Sequence, residues 1–180
     1  MPLDPLPTPE PATGSIRPVR VYIGMGSNLD DPAAQVRQAF QALADLPASR
    51  CIARSPLYRT APVGGPPDQP DYVNAVAALD TALSPDELLT ALQRIETGQG
   101  RVRTVRWGPR TLDLDLLLYD ALQRDDSRLT LPHPRLHERA FVLYPLYDIA
   151  PDLTIPGRGP LIELRKNCPP LSLIRLDSPN

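Results

Sequence analysis

Prolines decide where this chain can hold regular structure. Each lacks the backbone N–H that a helix interior or a sheet ladder needs, and the 24 of them are spread unevenly over 180 residues. Six stand at positions 2, 5, 7, 9, 11 and 18, so residues 1–18 read as an extended, mobile tail outside the fold. Pro160, Pro169 and Pro170 interrupt 157–180 in the same way, while Leu161, Ile162, Leu164 and the run 171–176 leave packing on the body open. The order of that C-terminal extension stays undecided, and residues 19–156 are expected to carry the folded domain.

A chain of this length suits one domain with a continuous core. With 42% hydrophobic and 22% charged residues and a net charge of −2, it has the composition of an ordinary soluble globular protein, with no basic excess that would point to nucleic acid. Lys166 is the only lysine, so its cations are almost all planar arginine forks suited to phosphate or carboxylate. Cys51 and Cys168 form no CxxC pair, which rules out a zinc ribbon and a dense disulfide framework. No apolar run approaches the roughly 18–20 residues of a membrane span, and the N-terminus lacks a leader pattern. A cytoplasmic monomer without membrane or nucleic-acid partners is expected.

Within the domain, Arg20–Gly24 reads as a strand, and Asp31-Pro32 supplies an N-cap with proline at the first helical position. Val36, Phe40 and Leu43 form one apolar stripe on the helix that follows, which ends near Leu46-Pro47. A second strand spans about Cys51–Tyr58, a turn-rich loop runs from Thr60 to Asp71, and a third strand covers Tyr72–Thr81. Ser84-Pro85-Asp86-Glu87 is a capping box opening a second helix that Gly98 and Gly100 end. Thr111–Tyr119 is the fourth strand, and Leu136–Leu146 reads as one more short helix. The order β-α-β-β-α-β predicts an α+β, ferredoxin-like sandwich, with an antiparallel sheet, both helices on one face, additional C-terminal elements and the other face free for ligands.

The chemistry concentrates in the fourth strand and the loop before it. Side chains alternate faces along a strand, so Asp113 and Asp115 point the same way from a run otherwise made of leucines. Two such carboxylates about 5 Å apart repel by roughly 3 kcal/mol at an effective dielectric of 20, so a cation should sit between them. Oxygen ligands with no adjacent cysteine or histidine cluster favour Mg²⁺, held by carboxylates and phosphate oxygens; the alternative is a pair of solvent-facing aspartates on an ordinary amphipathic strand. Arg101, Arg103, Arg106 and Arg110, with Trp107 among them, fill the preceding loop. They either clamp a polyphosphate or pair with the two aspartates.

Other motifs are weaker. Gly24-Met25-Gly26-Ser27-Asn28 lacks the third glycine of a dinucleotide fingerprint and does no more here than turn the chain between strand and helix. His133 and His137 are i, i+4, but Pro132 and Pro134 break any shared helical face, which argues against a zinc pair. His133 is either a phosphate donor near Arg139 or a plain surface histidine.

Taken together, these segments resemble the 6-hydroxymethyl-7,8-dihydropterin pyrophosphokinase family. The resemblance covers about residues 20–156 and rests on G-S-N at 26–28, Y-R-T-A-P-V-G at 58–64, D-Q-P-D-Y-V-N at 68–74, Q-R-I-E at 93–96, G-R-V-R at 100–103, W-G-P-R-T-L-D-L-D at 107–115, L-P-H-P at 131–134 and R-A-F at 139–141. It implies transfer of the terminal diphosphate of ATP to the hydroxymethyl group of the reduced pterin, giving AMP and the pterin diphosphate in folate biosynthesis. It implies Arg101, Arg110, Asp113 and Asp115 as the catalytic set, the aspartates holding two Mg²⁺ ions.

The same resemblance places Arg101, Arg110, His133 and Arg139 against the phosphates, with Arg103 close by and Gln93, Glu96, Arg128 and Thr130 lining the nucleotide site. Tyr72 and Phe141 would sandwich the pterin, while Asn74 and the chain at Thr60, Val63 and Gly64 read its edge and Trp107 belongs to a closing loop. Two positions depart from the family pattern: Thr104 stands where lysine is frequent, and Pro134 where some members have tyrosine. The same element order also carries RNA in another class of protein, but that class needs exposed aromatics where the fourth strand here offers aspartates.

Overall fold

The computed structural model describes residues 17–100 and 111–176. Strand β1 (Val19–Ser27) leads into helix α1 (Pro32–Ala44), then β2 (Ser49–Arg54), β3 (Leu57–Thr60), β4 (Tyr72–Thr81), α2 (Pro85–Gly98) and β5 (Asp113–Tyr119). In the sheet, β5 pairs with β1, β1 with β4, and β4 with β2 and β3, every pairing antiparallel. With β2 and β3 end to end as one interrupted strand, this is the ferredoxin-like arrangement the element order predicts.

The interruption has a local cause. Pro56 cannot donate to the ladder, and Ser55 bridges the gap by donating its N–H to the Val76 carbonyl (2.9 Å) and accepting from the Val76 N–H at Oγ (2.8 Å). Asp31 caps α1 by accepting from Ala34 N–H (3.2 Å), and the reciprocal box at Ser84 and Glu87 opens α2 as its sequence predicts. β1 runs three residues beyond Gly24, so Gly24 and Gly26 are strand residues, not a turn between strand and helix.

The sheet carries a core on each face. Val36, Ala39, Phe40 and Leu43 of α1 and Leu88 and Leu92 of α2 pack on Ile23, Met25, Ala77, Leu79, Leu114 and Leu116. The opposite face, expected to be free, is partly covered. After β5 come the short pair β6 (Arg124–Asp125) and β7 (Thr130–Leu131), a 3-10 turn at Leu136–Glu138, and α3 (Ala140–Ile149). They lead to a second pair, β8 (Thr154–Ile155) and β9 (Gly159–Pro160), then α4 (Leu161–Asn167) and β10 (Leu173–Leu176).

Val142, Leu143 and Leu146 of α3 and Leu161 of α4 bury Tyr22, Val76, Ala78 and Leu117 on that second face. α3 starts at Ala140 rather than Leu136 and continues through Pro145 to Ile149, because the chain ahead of Ala140 closes 3-10 contacts instead. β10 adds an edge strand to β3, in register Leu173 to Thr60 and Leu176 to Leu57.

Two outcomes check this packing. Leu161 has no exposed surface, so Leu161→Ala should lower the unfolding free energy by about 2–5 kcal/mol in urea titrations. Tyr58 of β3 donates its hydroxyl to Asp148 of α3, and burial foremost, with that bond, pushes its pKa up to about 12. Because the folded value lies above the unfolded one near 10, the stabilisation is full below about pH 10 and is lost as pH rises through about 12. A phenolate absorbance titration should show a late step near pH 12 that disappears in Tyr58→Phe.

Candidate active site

The second sheet face is left uncovered by α3 at one end, and there the strands bring together residues far apart in sequence. Pairing sets Asn74 opposite Gly26, and Gly26 opposite Asp113; one step inward, Gly24 lies opposite Asp115. Since alternate residues share a face, Tyr72 and Asn74 of β4, Gly24 and Gly26 of β1, and Asp113 and Asp115 of β5 lie on the side that carries Val76, Tyr22 and Leu117 deeper in. The intervening Leu114 and Leu116 are buried on the other side, under α1 and α2. Both aspartates are half-buried.

Space is tight over both glycines, most of all over Gly26. A Cβ built on Gly26 would lie 2.8 Å from Asn74 Oδ1 and 3.9 Å from the Tyr72 ring, and one on Gly24 would press on Leu117 at 3.3 Å. This role of the G-x-G was missed in the sequence; the signal that could have found it is two glycines on one face of an apolar strand, which marks a close approach. Asn74, buried, donates Nδ2 to Thr60 Oγ1 at 2.9 Å, which fixes the amide plane. The loop before β4 is tied to the end of β1, where buried Asn28 donates to the Pro70 carbonyl at 3.2 Å.

Two basic side chains from the segment after β7 close on Asp115. Arg139 Nη1 lies 3.8 Å and His133 Nε2 4.0 Å from Asp115 Oδ2. Burial, then the Arg139 charge, hold the His133 pKa down at about 4 against the pull of Asp113, so at neutral pH this is not an ion pair. His133 Nδ1 accepts the Arg135 N–H at 3.2 Å, which places the single ring proton on Nε2, the nitrogen nearer Asp115 but beyond hydrogen-bond range of it. Arg139 is pushed below the usual arginine range by burial, with Asp115 acting against the shift, and its guanidinium lies 5.6 Å from the centre of the Phe141 ring.

The other sequence candidates are not all gathered at this end. Glu96, in the last turns of α2, is buried and accepts the Leu114 N–H at 2.8 Å. Gln93 is exposed one turn earlier, and Thr130 donates to Asp125 at 3.1 Å. Arg128 is engaged at the other end of α2, with Asp86 at 2.9 Å and Thr90 at 3.0 Å. Val63 and Gly64 lie exposed in the loop between β3 and β4, Gly64 with φ of 75°. Arg101, Arg103, Arg106, Trp107 and Arg110 lie outside the described residues. His137 approaches Arg158 and Glu138 rather than the aspartates.

Comparison with known proteins adds a family to this geometry. The sequence profile of 7,8-dihydro-6-hydroxymethylpterin-pyrophosphokinase (HPPK) matches residues 22–151. The chain belongs to the HPPK family. Among its relatives, the 2-amino-4-hydroxy-6-hydroxymethyldihydropteridine pyrophosphokinase of Pseudomonas aeruginosa is 55% identical over 83% of this chain and 92% of its own length. The enzyme of the same name from Haemophilus influenzae is 47% identical over 88% and 99%.

Solved HPPK-DHPS structures share the fold. The wild-type Plasmodium falciparum protein with pterin and p-hydroxybenzoate superposes with a TM-score of 0.64 at 12% identity over 86% of this chain, and an HPPK-DHPS in complex with substrates gives 0.65 at 11% over 83%. This HPPK-family chain spans 44% and 43% of those longer chains.

The close approach at Gly26 gives a test. Gly26→Ala should displace Asn74, break its bond to Thr60 and cost about 1–3 kcal/mol of stability, read by thermal unfolding.

Proposed function

We propose that the protein transfers the terminal diphosphate of ATP to the hydroxymethyl group of 6-hydroxymethyl-7,8-dihydropterin, giving AMP and the pterin diphosphate. The observation that carries this reading is the shared face: an oriented amide at Asn74 and two carboxylates at Asp113 and Asp115 stand on either side of a glycine floor, with two N–H donors converging on Asp115. Family membership and the names of relatives that are about half identical support it.

The donor set fits Mg²⁺. Two carboxylates face one way, and no group of three or more histidine, cysteine or acidic side chains that could enclose a metal occurs among the described residues. A hard ion that keeps water and substrate oxygens in its shell suits so sparse a protein contribution. Asp113 and Asp115 would hold two such ions, which when bound neutralise the triphosphate and orient it for in-line attack.

The chain's own residues supply the rest. Arg139 and the Nε2–H of His133 offer donors to phosphate beside the carboxylates, and a neutral His133 can donate without adding charge that would compete with the metal. Tyr72 and Phe141 offer aromatic faces to the flat pterin. Asn74, held by Thr60, presents a fixed hydrogen-bonding edge to it. No helix among the described residues is long and apolar enough to cross a membrane.

Incubation with ATP, Mg²⁺ and hydroxymethyldihydropterin should yield AMP and the pterin diphosphate. ADP, or no product with both substrates saturating, would overturn the assignment. Asp115→Ala should cost several kcal/mol of transition-state stabilisation, on the order of 10³-fold in turnover, with the thermal midpoint little changed.

A further inference from the structure

We propose that Glu96 is a positioning residue for the two carboxylates, acting through the backbone of β5 rather than by touching nucleotide. Among the described residues β5 is the last strand of the sheet, so the backbone groups on its outer edge have no strand partner there. Two side elements hold that edge on either side of Asp115. Glu96 accepts the Leu114 N–H at 2.8 Å, from the peptide that joins Asp113 to Leu114, and the His133 N–H donates to the Leu117 carbonyl at 2.9 Å. Glu96 is 4% exposed. A carboxyl is a costly group to bury unless it is hydrogen-bonded, and this one accepts a strand N–H between the two aspartates.

The placement matters because Mg²⁺ tolerates little deviation from octahedral geometry, and the directions of the Asp113 and Asp115 side chains are fixed by the peptides on either side of Leu114. The clamp is itself anchored. Three residues after Glu96, Gln99 donates Nε2 to the Gln35 carbonyl at 3.1 Å and to Gln35 Oε1 at 2.8 Å, fastening this end of α2 to α1. The rigid path runs from α1 through α2 and Glu96 to the peptide between the two aspartates. This inference rests on the reading of Asp113 and Asp115 as metal ligands.

The test compares Glu96→Met, which keeps volume and helix propensity but removes the acceptor, with Glu96→Gln, which keeps an acceptor. Amide hydrogen exchange at Leu114 and Mn²⁺ affinity, followed by the free-Mn²⁺ paramagnetic signal with a non-hydrolysable ATP analogue present, are read on the full chain. Glu96→Met should expose the Leu114 amide to exchange and weaken Mn²⁺ binding by about 10- to 100-fold, the usual effect of losing a group that orients metal ligands. Glu96→Gln should retain both.

Unchanged Mn²⁺ affinity in Glu96→Met, or equal losses in both variants, would overturn the positioning role while leaving the metal reading intact. Wild-type protein that takes up no Mn²⁺ would overturn the metal reading, and the inference with it.

Discussion

Strand β5 has to satisfy two opposed demands within seven residues. Leu114 and Leu116 face the core beneath α1 and α2, where an ion would be costly, while Asp113 and Asp115 face the other way and stay half-buried. Strict alternation meets both demands only if the second face opens at that point. It does in part: α3 covers Val76, Ala78 and Leu117, while Asp113 and Asp115 stay only half-buried. A register slip of one residue would drive both carboxylates into the core, so the position of the site and the stability of the sheet are set by the same pairing.

Placing two carboxylates this close is tolerable because the cations come from the same neighbourhood. Repulsion of roughly 3 kcal/mol at 5 Å is matched by an attraction of about 4 kcal/mol for one arginine at 4 Å in the same effective dielectric, and Arg139 lies at about that distance from Asp115. His133 adds none of this while neutral; its contribution is an N–H donor. Burial acts on both residues, keeping the imidazole uncharged and stripping water from the guanidinium.

The core elements were legible because their signals are local. β4 begins and ends at the residues where alternation starts and turn residues resume, and α2 opens on a box whose two hydrogen bonds are encoded three residues apart. What was not legible depends on tertiary cover. Nothing in Leu161 or Leu173–Leu176 distinguishes a packed helix and an added edge strand from a loose extension, since both acquire structure only by docking on α3 and β3. The covered second face follows from that docking. Asp113 and Asp115 could be placed on one face by periodicity, and Tyr72 and Asn74 were singled out by motif, but the G-x-G was misplaced because glycine signals a turn as readily as a close approach.

That glycine row gives the site its dimensions. Asn74, Gly26 and Asp113 stand side by side on three adjacent strands, so the amide and the carboxylate are separated by two interstrand spacings, about 10 Å. A side chain on the middle strand would collide with Asn74; Gly26 lets the Asn74 amide lie close over the backbone of β1, with the Tyr72 ring nearby. A bicyclic ring whose edge is read at Asn74 and whose hydroxymethyl arm points along the row would bring its hydroxyl toward the strand that bears the carboxylates. Under the proposed function, the distance between recognition and chemistry is then set by sheet geometry, which loop motion cannot alter.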